Sequence, residues 1–174
     1  MNTRVLVSLA LLVGIGAVLH AVIPGIFFGM KPDMMLTMMF LAILLFPNVK
    51  TAGLVGIVTG IISAMTTGFP GGQVPNIIDK IITAFVFFAF VLLLKKYGQT
   101  VITAAILTAV GTVISGMIFL TAALLLVGLP GGATFSALFL TVVLPTAAIN
   151  TIVMVIIYPI VSSIFKRMNM TAHA

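Results

Sequence analysis

The residues that could do chemistry in this chain are few, and most of them lie in one short stretch. The sequence has only two acids, Asp33 and Asp79, and Asp79 is followed directly by Lys80. Asn76, Asp79, Lys80 and Thr83 have the spacing i, i+3, i+4 and i+7, which places them on one face of a helix. Carboxylates can bind a cationic group of a small solute, and a lysine can bind an anionic one. We therefore expect a polar binding face on α-helical backbone.

A purely structural interpretation of the same residues stays open. Asn76 could cap a helix whose third residue, Asp79, complements the helix dipole. In Met30-Lys31-Pro32-Asp33, Asp33 could likewise be a helix cap with Lys31 as its counter-ion, or either residue could meet a charged end of a substrate. Lys80 could also extend towards a membrane interface. An ionisable group at membrane depth is nevertheless a functional candidate, because its desolvation is costly.

The elements that carry these residues are membrane helices. The chain has 174 residues, of which 62% are hydrophobic and 6% charged, and its mean hydropathy is +1.41. A soluble domain has about a quarter of its residues charged. Apolar runs of about 20 residues with short polar breaks are typical of transmembrane helices. The prediction is an all-α polytopic membrane protein with a single transmembrane domain over residues 1–174.

Six hydrophobic segments predict a six-transmembrane-helix bundle. The second and third are short for a full span, so we expect them to extend into their flanking loops or to lie where the bilayer thins. A five-helix alternative would fuse residues 33–66 across Pro47, but Pro-Asn-Val-Lys favours a turn there. The predicted helices are residues 4–23, 33–46, 51–66, 77–95, 100–127 and 136–165.

The basic residues predict the orientation. With the N-terminus inside, six of the eight fall on the cytoplasmic side, which follows the positive-inside rule; Lys31 and Lys80 fall outside. Both termini are then cytoplasmic, and the loops at 24–32, 67–76 and 128–135 face outward. Helices two, four and six begin at that face, and their N-termini would suit a carboxylate.

The predicted outer loops repeat a Pro-Gly-Gly sequence at 70–72 and 130–132. Gly71 and Gly72 would let the backbone approach a ligand closely, although Pro-Gly-Gly is also a common turn. Gln73, Phe69 and Phe135 lie on or beside these loops and are further candidates for substrate contact.

Two more features have alternative interpretations. Asn150 lies midway along the sixth helix, and a buried amide there needs partners, which either a neighbouring helix or a substrate could supply. Ala10 and Gly14 on the first helix are small residues four positions apart. They could pack within the bundle or dock another membrane protein.

Several function classes are excluded by what the sequence lacks. It has no cysteine, no phosphate-binding Gly-x-x-x-x-Gly-Lys-Ser/Thr loop and no His-Glu-x-x-His motif, so we expect no enzymatic activity, metal or cofactor. Its basic residues are spread along the chain rather than clustered, which argues against nucleic-acid binding.

The stretches Gly29-Met30-Lys31-Pro32-Asp33-Met34-Met35 and Thr67 to Lys80 resemble those of the bacterial tryptophan transporter family. That family is similar in plan to the substrate-binding S-components of energy-coupling-factor (ECF) transporters. The resemblance implies a six-helix bundle in the bacterial cell membrane that binds its substrate through loops one, three and five. It also implies a transmembrane coupling subunit and two ATPases as partners. Ala10-Leu11-Leu12-Val13-Gly14 resembles the Ala-x-x-x-Ala coupling motif, with Gly in the last place.

These observations lead to one hypothesis with two alternatives. Asp79 or Asp33 would pair with the ammonium of tryptophan, while helix N-termini with Lys31 or Lys80 would hold its carboxylate. Phe69 and Phe135 would cover the indole, and its N–H would be accepted by Asn76, Gln73 or Asn150. The alternatives are a stand-alone ion- or proton-coupled amino-acid carrier, with Asp79 as the coupling site, and a structural or assembly subunit.

Overall fold

The regular structure of this protein is helical throughout the ranges that its computed structural model describes, residues 2–23, 32–98 and 100–167. This confirms the all-α prediction. Lys31 and most of the first predicted loop lie outside the described residues. The helices are α1 (Thr3–Val22), α2 (Met34–Leu45), α3 (Val49–Met65), α4 (Gln73–Leu93, extended by a 3₁₀ turn at Leu94–Tyr97), α5 (Val101–Leu126) and α6 (Phe135–Arg167).

Four of these helices, α1, α4, α5 and α6, are long and apolar enough to cross a membrane. The other two, α2 and α3, have 12 and 17 residues. They are separate helices, because α2 ends before Pro47 and Asn48 caps α3 by accepting a hydrogen bond from Lys50 N. The described part of the chain therefore rules out the five-helix alternative.

Helix α2 forms the centre of the bundle. All twelve of its residues are buried, and it packs against each of the other five helices. A helix that is apolar on every side is expected to be buried in this way. At a rise of 1.5 Å per residue, α2 is about 18 Å long, well short of the roughly 30 Å hydrocarbon core. Asp33 caps its N-terminus and contacts the buried Lys80 on α4, so this end of α2 lies inside the bundle.

Glycines bring α3 and α4 close together. A Cβ on Gly56 would lie 2.8 Å from Ala84 Cβ, and one on Gly60 would lie 3.3 Å from Ile77 Cα. Larger residues at these positions would force the helices apart. This contact fixes the face of α4 that carries Asp79 and Lys80 against the bundle interior.

Helix α6 contains a π-helical segment at Phe139–Val143, where Leu144 N–H donates to Phe139 O. The cause is Pro145, which has no N–H for the carbonyl of Thr141 and whose ring would clash with it in a regular α-helix. The wider turn accommodates the proline and presents Val143 to α5, where it contacts Gly116.

Candidate functional site

A cavity of about 160 Å³ lies between the helices near the end of the bundle where α3 passes to α4. Its lining combines charged, hydroxyl-bearing and aromatic side chains from every helix. The residues are His20, Asp33, Leu36, Ser63, Thr67, Gly68, Phe69, Asn76, Asp79, Lys80, Thr112, Ser115, Gly116, Phe119, Leu120, Val142, Val143 and Thr146.

Three charged groups meet at this cavity, and we call Asp33, Asp79 and Lys80 the charged triad. Lys80 Nζ lies 2.7 Å from Asp33 Oδ2 and 2.7 Å from Asp79 Oδ2. Lys80 and Asp79 are each 1% exposed, whereas the Asp33 side chain is 22% exposed. One ammonium thus lies between two carboxylates, and Asp33 is the more accessible of the two.

Hydrogen bonds hold both carboxylates in place. Asp79 Oδ1 accepts from Thr83 Oγ1 at 2.8 Å, and Asp79 Oδ2 accepts from Ser115 Oγ at 2.8 Å. Asp33 Oδ1 accepts from Leu36 N at 2.9 Å. The triad therefore ties α2, α4 and α5 together. These hydrogen bonds and the ion pairs with Lys80 offset the free-energy cost of burying charged groups in an apolar interior.

The charge balance of the triad is uneven. With all three groups ionised it carries a formal charge of −1, because two carboxylates share one ammonium. Lysine has three N–H donors, and two of those on Lys80 are directed at the carboxylates. The arrangement can accept a cationic group beside Asp33 and still offer an anion the third N–H of Lys80.

The polar face predicted on α4 is buried as a unit, but the predicted start of the helix is wrong. Helix α4 begins at Gln73 with Gly72 as its N-cap, since Pro75 is tolerated in a first turn. Asn76 is therefore inside the helix, where its Nδ2 donates to Gly72 O at 2.8 Å, and Asp79 is about two turns beyond the cap. Asp33, by contrast, is the N-cap of α2, as the sequence suggested, and it also forms an ion pair with Lys80.

Aromatic and aliphatic side chains form the apolar part of the cavity. Phe69 and Phe119 meet edge to face, with ring centroids 5.2 Å apart and an interplanar angle of 86°. Leu120, Val142 and Val143 complete this part of the lining. Phe69 was expected at the site from its loop position, whereas Phe119 carried no signal in an apolar helix.

The structure places several other candidates outside the cavity lining. Gln73 is exposed at the start of α4, and Phe135 stacks on Phe139 at the start of α6 with centroids 6.5 Å apart. Gly71 has φ +71°, and its turn approaches Val127 too closely for a side chain; Gly72 caps α4.

Asn150 is fully buried behind the cavity rather than in it. Its Nδ2 lies 3.5 Å from Oγ1 of Thr112, which does line the cavity. The structure thus shows a contact between α5 and α6, the helix-joining role that the sequence allowed. A polar series on α5, Thr108, Thr112 and Ser115 at i, i+4 and i+7, was the signal that sequence analysis missed.

Ala10 and Gly14 lie on the surface of α1, away from the bundle. Both are exposed, and no atom lies within 4 Å of the position where a Cβ on Gly14 would be. With Leu11, Ile15 and Val18 they line a shallow surface groove. Among the described residues, no three His, Asp or Glu side chains are grouped as a metal site requires.

Comparison with known proteins gives consistent results over nearly the whole chain. A family model described as "Tryptophan transporter TrpP" matches residues 2–166. A "Probable tryptophan transport protein" of Bacillus subtilis (strain 168) is 59% identical over 167 residues, covering 96% of this chain and 95% of the relative. Proteins of the same description from Clostridium perfringens and Clostridium acetobutylicum are 43% and 48% identical, covering 95% and 91% of this chain and of themselves. No solved structure matches the chain.

Proposed function

The chain belongs to the tryptophan transporter family and is a multi-pass protein of the cell membrane, and from this premise we propose that its cavity binds tryptophan for transport into the cell. The observation that carries the proposal is the meeting of the charged triad with the Phe69–Phe119 pair in one cavity. An aromatic amino acid has the same two parts, a zwitterionic head group and an apolar ring.

The head group would bind at the triad. The substrate ammonium would approach Asp33, the more exposed of the two carboxylates. The substrate carboxylate would take the third N–H of Lys80. Asp79 would hold Lys80 in place, because its own oxygens already accept from Thr83 and Ser115.

The indole would lie against Phe69 and Phe119. Aromatic rings favour edge-to-face and offset contacts with one another, and the two phenylalanines are already arranged edge to face. The cavity of about 160 Å³ has room for an aromatic ring, since a cavity of about 150 Å³ in another protein holds benzene.

Transport would be powered by a separate ATP-hydrolysing ECF module. We propose that the surface groove of α1 at Ala10 and Gly14 docks the transmembrane coupling subunit. Its support is the exposure of both residues and the open space beside Gly14. The distribution of basic residues supports cytoplasmic termini and a site that opens to the outside.

A stand-alone, ion- or proton-coupled carrier is the second candidate. The observation that favours it is that the buried Lys80 lies within hydrogen-bond distance of both Asp33 and Asp79. Such groups are typical of proton relays in transporters. In this mechanism a proton would reach the triad as tryptophan leaves it.

Tryptophan binding to the purified protein tests the substrate. The chain contains no tryptophan residue, so indole fluorescence reports the ligand directly. Wild type should bind tryptophan and not leucine, and Asp79→Asn and Asn76→Ala should bind it more weakly. Lys95→Gln, an exchange at an exposed residue, should bind like wild type. Absence of binding to wild type would refute the substrate proposal, and normal binding by both cavity variants would refute the site.

Uptake measurements separate the two mechanisms. Vesicles that contain this chain alone should take up tryptophan only if it is a stand-alone carrier. If uptake requires a coupling subunit, ATPases and ATP, the ECF mechanism holds. A collapsed proton gradient should then leave uptake intact.

A further inference from the structure

Ser63 on α3 is a cavity residue that neither the triad nor the aromatic pair uses. It lines the cavity and is 3% exposed. Within the described ranges, no group makes a hydrogen bond with its Oγ. A hydroxyl without a partner in an apolar interior costs free energy, which suggests that a ligand supplies the partner.

Two neighbouring hydroxyls, one within α3 and one at its C-cap, each donate a hydrogen bond to a backbone carbonyl. Thr59 Oγ1 donates to Val55 O at 2.6 Å, and Thr66 Oγ1 donates to Ile62 O at 2.8 Å. Serine and threonine in helices commonly bond to the carbonyl four residues earlier in this way. Ser63 does not make that bond, and unlike Thr108, another buried residue whose hydroxyl has no partner among the described residues, Ser63 lines the cavity.

The position of Ser63 lies between the two parts of the site. A Cβ on Gly60 would lie 3.5 Å from Lys80 Cβ, so Gly60 marks the level of the triad on α3. Ser63 is three residues further, about 4.5 Å along the helix axis, towards the loop that carries Phe69. A substrate with its head group on the triad and its ring on Phe69 would pass beside Ser63.

We propose that Ser63 Oγ accepts the indole N–H of tryptophan and so determines the specificity of the site; this inference rests on the proposed function. The indole nitrogen lies several bonds from the α-carbon, which suits a group one turn from the triad. Leu120, Val142 and Val143 make much of the lining apolar, so an N–H placed against them needs an acceptor. Selection by a buried hydrogen bond is stronger than selection by apolar contact alone.

Three of the alternative acceptors in the cavity have other contacts, and Thr146 is a further hydroxyl in the lining. Thr67 Oγ1 accepts from Phe69 N, and Thr112 Oγ1 lies by Asn150 Nδ2. Asn76 Nδ2 donates to Gly72 O, so Asn76 Oδ1 and the hydroxyl of Thr146 are the competitors for the indole N–H.

The test compares tryptophan with its benzothiophene analogue, in which sulfur replaces the indole N–H. Calorimetry would measure both ligands on wild type, Ser63→Ala, Asn76→Ala and Thr66→Val, the last removing a hydroxyl at the C-cap of α3 and outside the cavity lining. Ser63→Ala should weaken tryptophan binding about tenfold and leave binding of the analogue within about twofold of wild type. Thr66→Val should change neither.

Three results would overturn the inference. Ser63→Ala could weaken both ligands equally, which would mean that Ser63 only shapes the cavity, or it could weaken neither. The selective loss could instead appear in Asn76→Ala, which would make Asn76 the acceptor. Wild-type binding of tryptophan is measured first, so failure of the proposed function is seen separately from failure of this inference. A thermal melt of Ser63→Ala in detergent shows whether the variant is folded.

Discussion

Lys80 Nζ lies 2.7 Å from Asp33 Oδ2, and this ion pair joins the cap of α2 to the interior face of α4. The contact is formed inside the bundle because all residues of α2 are buried and its cap, Asp33, reaches Lys80, which is eight residues beyond the cap of α4. The same lysine contacts Asp79 on its own helix. The residues proposed to bind the substrate head group are thus also those that fix α2 within the bundle.

Replacing Lys80 by methionine should destabilise the protein strongly. The substitution leaves the buried Asp79 and the partly buried Asp33 without their cation, and loss of one partner from a buried ion pair costs about 3–5 kcal/mol. Thermal unfolding in detergent should show a large fall in Tm for Lys80→Met and almost none for the exposed Lys50→Met. Adding Asp33→Asn and Asp79→Asn to Lys80→Met should recover part of the loss. An unchanged Tm in Lys80→Met would contradict the buried triad.

Gly116→Ala should impair the cavity through α6. A Cβ at this position would collide with the side chain of Val143, and overpacking of this kind costs about 1–3 kcal/mol. We expect weaker tryptophan binding and a lower Tm, with both restored by Val143→Ala in the same chain. Gly14→Ala is the matched control. It also adds a methyl group to a helix, but no atom lies within 4 Å of the position where a Cβ on Gly14 would be. If Val143→Ala gives no rescue, the helix contact is not the cause.

Pro145→Ala should weaken tryptophan binding without lowering the thermal stability of the protein. Without the proline, the π-helical segment at Phe139–Val143 can relax to a regular helix, because residue 145 regains its N–H. This rotates Val142 and Val143 relative to α5, so we expect several-fold weaker binding of tryptophan with a Tm no lower than wild type. Pro159→Ala, at the other proline within α6, should leave binding unchanged. Equal binding by both variants would show that the π-helical segment does not shape the cavity.

Gly14→Leu tests the docking proposal for α1. A larger side chain fits the open space beside Gly14, so Tm and tryptophan binding should remain at wild-type values. Uptake in the presence of the ECF module should fall at least tenfold if this groove docks the coupling subunit. Gly16→Leu gives the opposite pattern, because a Cβ there would lie 3.1 Å from Met38 and the variant should lose stability. Full uptake by Gly14→Leu would remove this surface from the mechanism.

The sequence was most informative about features that neighbouring residues decide. Helix ends were predicted within a few residues, and the largest error, at the start of α4, arose because Asn76 resembles a cap while Gly72 is the cap. The grouping of Asn76, Asp79, Lys80 and Thr83 on one buried face was also predicted, because helix periodicity alone brings i, i+3, i+4 and i+7 together. Asn76, Asp79 and Lys80 line the cavity.

Residues far apart in the sequence were less predictable. Phe69 and Phe135 looked equivalent, each beside a Pro-Gly-Gly turn, yet Phe69 contacts Phe119 in the cavity and Phe135 stacks on Phe139. Ser63 looked like any hydroxyl in a membrane helix, and only its missing backbone bond distinguishes it from Thr59 and Thr66.

The sequence by itself determined that this is an all-helical membrane protein with one polar face, because hydropathy and helix periodicity are local properties of the chain. Only the tertiary structure decided that Lys80 lies between Asp33 and Asp79 and that α2 is enclosed by the other helices. The physical reason is that these contacts depend on how closely the helices pack. That packing is set by glycines such as Gly56, Gly60 and Gly116, whose partners lie on other helices.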